Sequence, residues 1–178
     1  MAKTSLQPLD LNFQGKETAI AAYMIPHATG VALIESGPGS TVPNLERALA
    51  GQGYGLQDIT HVFLTHIHLD HAGAAGFLAA QGAKIYVHAN GAPHLLNPEK
   101  LIASATRIYG EKMQPLWGDF LPVPPASLTI LSDGEQVSLG GGLHITAFDT
   151  PGHAEHHLAY FWEGYCFTGD VGGIRISA

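Results

Sequence analysis

One cysteine, Cys166, is all the chain has, so no intrachain disulfide framework can staple it. Cationic side chains are scarce as well. Eight Lys plus Arg against 15 Asp plus Glu leave a formal net charge of −7, and the eight are scattered along the sequence. Without a basic stripe there is little to grip a phosphate backbone, and nucleic acid is not expected as a partner. No apolar run reaches the roughly 20 residues that span a bilayer. The opening Met1-Ala2-Lys3-Thr4-Ser5-Leu6 lacks the apolar stretch of a signal peptide. The expectation is a cytoplasmic protein without a membrane partner.

What the chain does have is apolar residues, glycine and histidine. Of its 178 residues 46% are hydrophobic, enough to bury the core of a single domain over 1–178. Twenty-two glycines and 11 prolines punctuate short elements. Strand patterns over 18–25 and 30–35 are expected to pair through the turn at 26–29, with His27 a solvated turn residue. Pro43 suits the first turn of a helix that Gly51 ends. Strand and helix patterns then alternate up to Lys84-Ile85-Tyr86-Val87-His88, which points to an α/β fold.

Residues 90–125 break that rhythm and read as an insertion or lid over a cleft. Within them 98–112 fits a helix with Leu101, Ile102, Ala105 and Ile108 on one face. The span 113–125 reads as a proline-rich loop whose Trp117 and Phe120 wall the cleft. From Leu128 three further strand patterns are expected to form a meander. His144 alternates there with apolar neighbours as a strand-face residue. Cys166, between Tyr165 and Phe167, reads as a small buried hydrophobe.

Eleven histidines outnumber the Lys and Arg together, and their spacing carries the chemistry. Val62-Phe63-Leu64 is a buried strand that feeds Thr65-His66-Ile67-His68-Leu69-Asp70-His71-Ala72-Gly73. If the strand stays extended, His66, His68 and Asp70 project to one side, because alternate side chains share a face. His71 joins them only if the chain bends near Leu69. Imidazole and carboxylate donors suit a borderline divalent ion. Farther along, Thr150-Pro151-Gly152 turns directly before His153, which would complete a three-imidazole set with His66 and His68. His157 opens the next strand and is read as bonding that turn. Tyr165-Cys166-Phe167-Thr168-Gly169-Asp170 again ends a strand in a carboxylate, a candidate to bridge two ions.

Thr-His66-x-His68-x-Asp70-His71-x-Gly, Thr-Pro-Gly-His153 and Thr-Gly-Asp170, in that order, resemble the metallo-β-lactamase superfamily. Ala32-Leu33-Ile34-Glu35-Ser36-Gly37 matches its early strand-and-turn signature, although Asp is commoner where Glu35 stands. The resemblance implies a four-layer αβ/βα sandwich with two divalent ions, zinc before iron or manganese, in a cleft at the sheet edges. By that resemblance His66, His68 and His153 hold the first ion, Asp70 and His71 the second, and Asp170 bridges. Asp70 and Asp170 are then the catalytic pair that orients a metal-bound hydroxide. The implied activity is hydrolysis of an ester, thioester or lactone, with a small-molecule substrate, as in glyoxalase-II-like thioesterases and lactonases. The same ligands could instead carry iron in a persulfide-dioxygenase-like oxidoreductase, or the chain could be an inactive fragment.

The family pattern continues past the Gly-Asp to one more metal-binding histidine, whereas this sequence ends eight residues after Asp170. The expectation is a C-terminally truncated domain with the second half of its sandwich incomplete and its second site short of a ligand. A homodimer, or association with the missing C-terminal segment, would make that good. Within the chain, His94, His156 and His157 are the remaining suspects for the absent ligand.

Overall fold

The computed structural model describes residues 5–173. β1 (Gln7–Asp10) pairs antiparallel with β2 (Ala21–His27), and β2 turns through Ala28 and Thr29 into β3 (Gly30–Ile34), with His27 opposite Gly30. Every later strand of this sheet is parallel to its neighbour, and parallel neighbours need a crossover. α1 (Val42–Ala50) carries the chain to β4 (Ile59–Phe63), and α2 (Leu69–Ala72) with α3 (Ala75–Ala80) carries it to β5 (Lys84–His88). α4 (Ala92–Leu96), α5 (Glu99–Tyr109) and α6 (Met113–Trp117) lead to β6 (Leu128–Leu131), which completes the order β1-β2-β3-β4-β5-β6. β7 (Gln136–Gly140), β8 (Leu143–Asp149), β9 (Leu158–Trp162) and β10 (Tyr165–Phe167) form a second, antiparallel meander.

Side-chain alternation divides the interior in two. In β3, Val31 and Leu33 join the helix-side core with Leu45, Leu49 and Leu78, while Ala32 and Ile34 face the second sheet. β4 and β5 repeat this: Val62, Ile85 and Val87 point to the helices, and Phe63 and Tyr86 point to Ile145, Tyr160 and Trp162. Strands buried on both faces read as continuous apolar runs, which is why these stretches show no polar alternation in the sequence. Among the described residues the result is helices, sheet and second sheet: three of the four layers of the expected αβ/βα sandwich, its second half incomplete. The outer face of the second sheet leaves Phe148 and Phe161 exposed among the described residues. No helix among them is long and apolar enough to cross a membrane.

Several local expectations are corrected. β6 pairs with β5 in the first sheet, so the meander begins one strand later, at β7. The cause is β6's apolar Leu131, which the inter-sheet core takes up beside Tyr86. The span 113–125 is not all loop, because Met113–Trp117 makes a helical turn and a half. Phe120 is core, packed on the helix side, and not a cleft wall. Cys166 is exposed, since its strand places it on the outer face opposite Phe161.

His27 is no solvated turn residue either: it closes β2 and is half-buried. Its Nε2 lies 2.8 Å from Thr60 Oγ1, and the same hydroxyl lies 2.7 Å from His61 Nδ1 and donates to the Val31 carbonyl at 3.1 Å. His61 stacks on Tyr86 with ring centroids 5.7 Å apart. Burial pushes both imidazoles below their ordinary pKa. His61, with His27 and Lys84 beside it, falls to about 4. The fold therefore favours the neutral forms. Their contribution is fully present above the unfolded pKa of about 6.5 and is lost as pH falls through the folded values. His61→Phe, which keeps the stack without the titration, should narrow the drop in urea midpoint between pH 7 and pH 5. Parallel denaturation curves at the two pH values check this; an unchanged drop would remove His61 from the acid response.

Candidate metal centre

β4 stops at Phe63, and the chain beyond it is not an extended strand. Residues 64–68 run along the sheet edge, and His68, with φ −62° and ψ 156°, caps the start of α2. The bend brings His71 to the same place as His66, His68 and Asp70, where an extended strand would have left it out of phase. α2 ends after one turn because the loop after β3 takes over its hydrogen bonds. Ser36 N and Ser36 Oγ both donate to the His71 carbonyl at 2.9 Å, and Ala74 N donates to the Gly37 carbonyl at 2.9 Å. Gly73 permits that clasp, since a Cβ there would sit 2.8 Å from Pro38 Cα.

Glu35 lies under this loop, 5% exposed, with its backbone at φ +67°. It accepts from the Thr65 hydroxyl and, at 3.3 Å, from Thr65 N. The Thr65 hydroxyl, having given its proton to Glu35, accepts from His66 Nδ1 at 3.0 Å. That leaves His66 Nε2 with its lone pair free. Glu35 Oε1 also lies 3.2 Å from His71 Nδ1.

From the second sheet come the other two groups. The Thr150–His157 turn is pinned by Thr150 Oγ1 at 2.8 Å from His157 Nδ1 and by Thr150 N donating to the His157 carbonyl at 3.0 Å. His157 thus bonds the turn, as read from sequence, and His153 projects from the turn toward His68. Gly169 sets Asp170: at φ +47° a Cβ there would meet Thr65 Oγ1 at 2.6 Å and His157 Nε2 at 2.7 Å.

His66, His68, His153 and Asp170 offer four donor atoms that all lie within 4.8 Å of one another. His153 Nε2 is 3.0 Å from His68 Nδ1 and 3.4 Å from Asp170 Oδ2, and His66 Nε2 is 3.9 Å from that same oxygen. Two ligands about 2.1 Å from a tetrahedral ion stand about 3.3–3.4 Å apart. His66 Nε2 is buried with no hydrogen-bond partner, an acceptor that the fold otherwise leaves unsatisfied. The donor set fits a divalent ion. On the other side of Asp170, His71 Nε2 lies 3.3 Å from Asp170 Oδ1 and 3.3 Å from Asp70 Oδ2.

The two groups differ in charge. Burial, with His71, His68, His157 and His153 around it, drives the His66 pKa far down, and burial with His153 lowers His68. These rings are neutral donors. For His71 burial pulls the same way, but Glu35 and Asp70 outweigh it and raise the pKa to about 11. Burial also opposes ionisation of Asp70, yet the bond to His71 holds its pKa below the usual value. The carboxylates that keep a proton on His71 are those that would favour a divalent ion in its place.

A family model described as Metallo-beta-lactamase superfamily matches residues 15–178. The chain belongs to the metallo-β-lactamase superfamily. Over 122 residues, 66% of this chain and 46% of the relative, it is 29% identical to the metallo-beta-lactamase fold-containing protein ST1585 of Sulfurisphaera tokodaii. Over 57 residues, 32% of this chain and 22% of the relative, it is 38% identical to the hydroxyacylglutathione hydrolase of Halorhodospira halophila. Among solved structures the Rm3 metallo-beta-lactamase superposes with a TM-score of 0.68 at 20% identity, covering 92% of this chain and 56% of that one. The MIM-2 metallo-beta-lactamase gives 0.63 at 29% identity, covering 83% and 52%. The chain thus spans about half the length of the solved relatives and of ST1585.

All six sequence-expected residues of this superfamily member, His66, His68, Asp70, His71, His153 and Asp170, meet in one place. Of the three suspects for a further ligand, His157 bonds Thr150 through Nδ1 and keeps its Nε2 buried without a partner, and His94 lies on α4 outside the donor set. His156 stands beside the centre, its ring 6.0 Å from that of His68 and its Nδ1 buried without a partner. Sequence reasoning missed the work of Glu35 and Thr65. Their signal was a carboxylate at a strand end and a hydroxyl directly before the first histidine. Glu35→Gln keeps the volume but weakens both the hydroxyl and the imidazole contacts. It should lower metal affinity about 10–100-fold, as loss of such a supporting partner does, while His144→Ala leaves affinity unchanged. Competition with a chromophoric chelator measures both; equal affinities would show that Glu35 supports the loop alone.

Proposed function

We propose that this protein is a binuclear metal-dependent hydrolase acting on an ester, thioester or lactone. The observation that carries the reading is the division of Asp170: Oδ2 faces His153 and His66, and Oδ1 faces His71. One carboxylate shared between a three-imidazole group and a carboxylate–imidazole pair fits two ions, zinc first among them by its preference for nitrogen and oxygen donors. His66, His68 and His153 would hold one, Asp70 and His71 the other, and Asp170 both. The name of the Halorhodospira relative supports acyl hydrolysis as the reaction class.

When bound, the ions supply Lewis acidity, polarising a carbonyl oxygen and lowering the pKa of water toward neutrality. The chain's own residues do the rest. Asp170, fixed by Gly169, aligns the two donor groups. Asp70 accepts a proton from the attacking water. That water's oxygen bonds to the acyl carbon, and the C–S or C–O bond breaks. The proton taken by Asp70 goes to the departing thiolate or alkoxide, and a carboxylic acid remains. Glu35 and Thr65 hold the His66 and His71 rings in orientation throughout.

Metal counting on protein loaded with zinc should find one ion held tightly and a second more weakly. His68→Ala should remove the tight one. A screen over thioesters, lactones and phosphoesters should find turnover in an acyl class, and Asp70→Asn should lower kcat about 10²–10⁴-fold. Absence of bound metal, or turnover of phosphoesters alone, would sink the assignment.

A further inference from the structure

Asp70 and Asp170 separate two hollows. On one side a cavity of about 590 Å³ reaches Glu35, His71 and β10. On the other a groove of about 360 Å³ runs from His68, Asp70 and Asp170 to α5 and Trp117. This second groove is unlike the polar donor set it adjoins. Its far wall is Leu101, Ala105, Ile108 and Tyr109 from α5, with Trp117 from α6, and its one neutral polar side chain besides the Tyr109 phenol and Trp117 indole is Ser104. No Lys or Arg among the described residues lines it. On the same helix Arg107 is folded back, its Nε donating to the Ala103 carbonyl at 3.4 Å.

Ile108 sharpens the case. It is 75% exposed, the most exposed large apolar side chain among the described residues, and stands on the rim of the groove. The same helix buries Ala105 and half-buries Leu101 and Tyr109, so its apolar stripe continues from the core out into the groove. Ligand sites that are mostly apolar with a few convergent polar groups at one end select a molecule of matching polarity. Here the polar end is the candidate metal centre.

We propose that this groove is the acyl subsite, and that it takes an uncharged, unbranched apolar acyl chain. The proposal rests on the hydrolase reading for the bond that is cleaved, but not for the existence of the groove. The scissile carbonyl would lie at His68, Asp70 and Asp170, and the chain would run along α5 over Leu101 and Ile108 to Trp117. An acyl group ending in a carboxylate would find no cation among the described residues to meet it and would leave a charge against apolar walls.

The test has a catalytic arm and a binding arm, both on the zinc-loaded chain. Across p-nitrophenyl acetate, butanoate, hexanoate and octanoate, kcat/KM should rise about three- to tenfold per pair of added methylenes. Ile108→Asp should flatten that rise; Ile130→Asp, an exposed isoleucine on β6 away from the groove, should not. In the binding arm, hexan-1-ol and octan-1-ol are titrated while tryptophan fluorescence is followed. Trp117 and the core-buried Trp162 are the two tryptophans, and Trp117→Phe identifies the signal. Octanol should bind more tightly than hexanol, and Ile108→Asp should weaken it about tenfold or more. Ester hydrolysis without chain-length dependence would overturn the acyl subsite and leave the hydrolase standing. Saturable alkanol binding lost in Ile108→Asp, with no ester turned over, would keep the apolar site and fail the hydrolase. Neither signal would end both.

Discussion

A single buried carboxylate orders the centre. Glu35 sits at the end of β3 in a left-handed backbone conformation, which costs a non-glycine residue of order 1–3 kcal/mol. Glu35 N donating to the Phe63 carbonyl at 2.9 Å holds it there. From that position one side chain reaches two histidines, His66 through the Thr65 hydroxyl and His71 directly. An imidazole is a useful ligand only when the correct nitrogen carries the lone pair. Glu35 makes that choice for His66 through Thr65, and it supplies the leading negative charge that raises the His71 pKa against burial.

The surrounding fold is built to keep that arrangement rigid. The Ser36-Gly37 loop and the α2 turn are tied by hydrogen bonds in both directions, so the strand end carrying Glu35 and the turn carrying His71 cannot move separately. On the other flank Leu158 N donates to the Thr65 carbonyl at 2.7 Å, and the fully buried Tyr160 hydroxyl donates to the Leu64 carbonyl at 2.9 Å. Both contacts reach from β9 to the loop after β4. They register the second sheet on the segment that holds His66.

The donor set was legible because its residues are dense in sequence: four potential ligands within 66–71, then His153 behind a Pro-Gly turn and Asp170 behind a glycine. The α/β class was legible from alternating patterns. The conformation of 64–72 was not, since the pairing of Ser36 and Gly37 with α2 is a contact across 35 residues that no local period records. The place of β6 failed for a similar reason: a four-residue apolar strand carries no sign of which sheet it will join. Cys166 and Phe120 were misjudged because the exposure of a short apolar segment is settled by which face of which layer it lands on. His27 and His144, each a histidine near a strand, look alike on paper; Thr60 beneath the first makes the difference.

The provenance of the donors has a consequence for the protein as a material object. His66 and His68 belong to the edge of the first sheet, His153 and Asp170 to the edge of the second, and His68 and His153 are 85 positions apart along the chain. An ion gripping all four is a cross-link between two halves of the molecule that otherwise adhere through their apolar faces and hydrogen bonds such as those from β9 to the loop after β4. It would close a long loop that the unfolded chain leaves open, and mass action would convert its affinity into folding free energy: about 4 kcal/mol when free ion stands a thousandfold above its dissociation constant. The two sheets would then part more readily wherever divalent ions are scarce, and the working life of the fold would follow the metal supply around it.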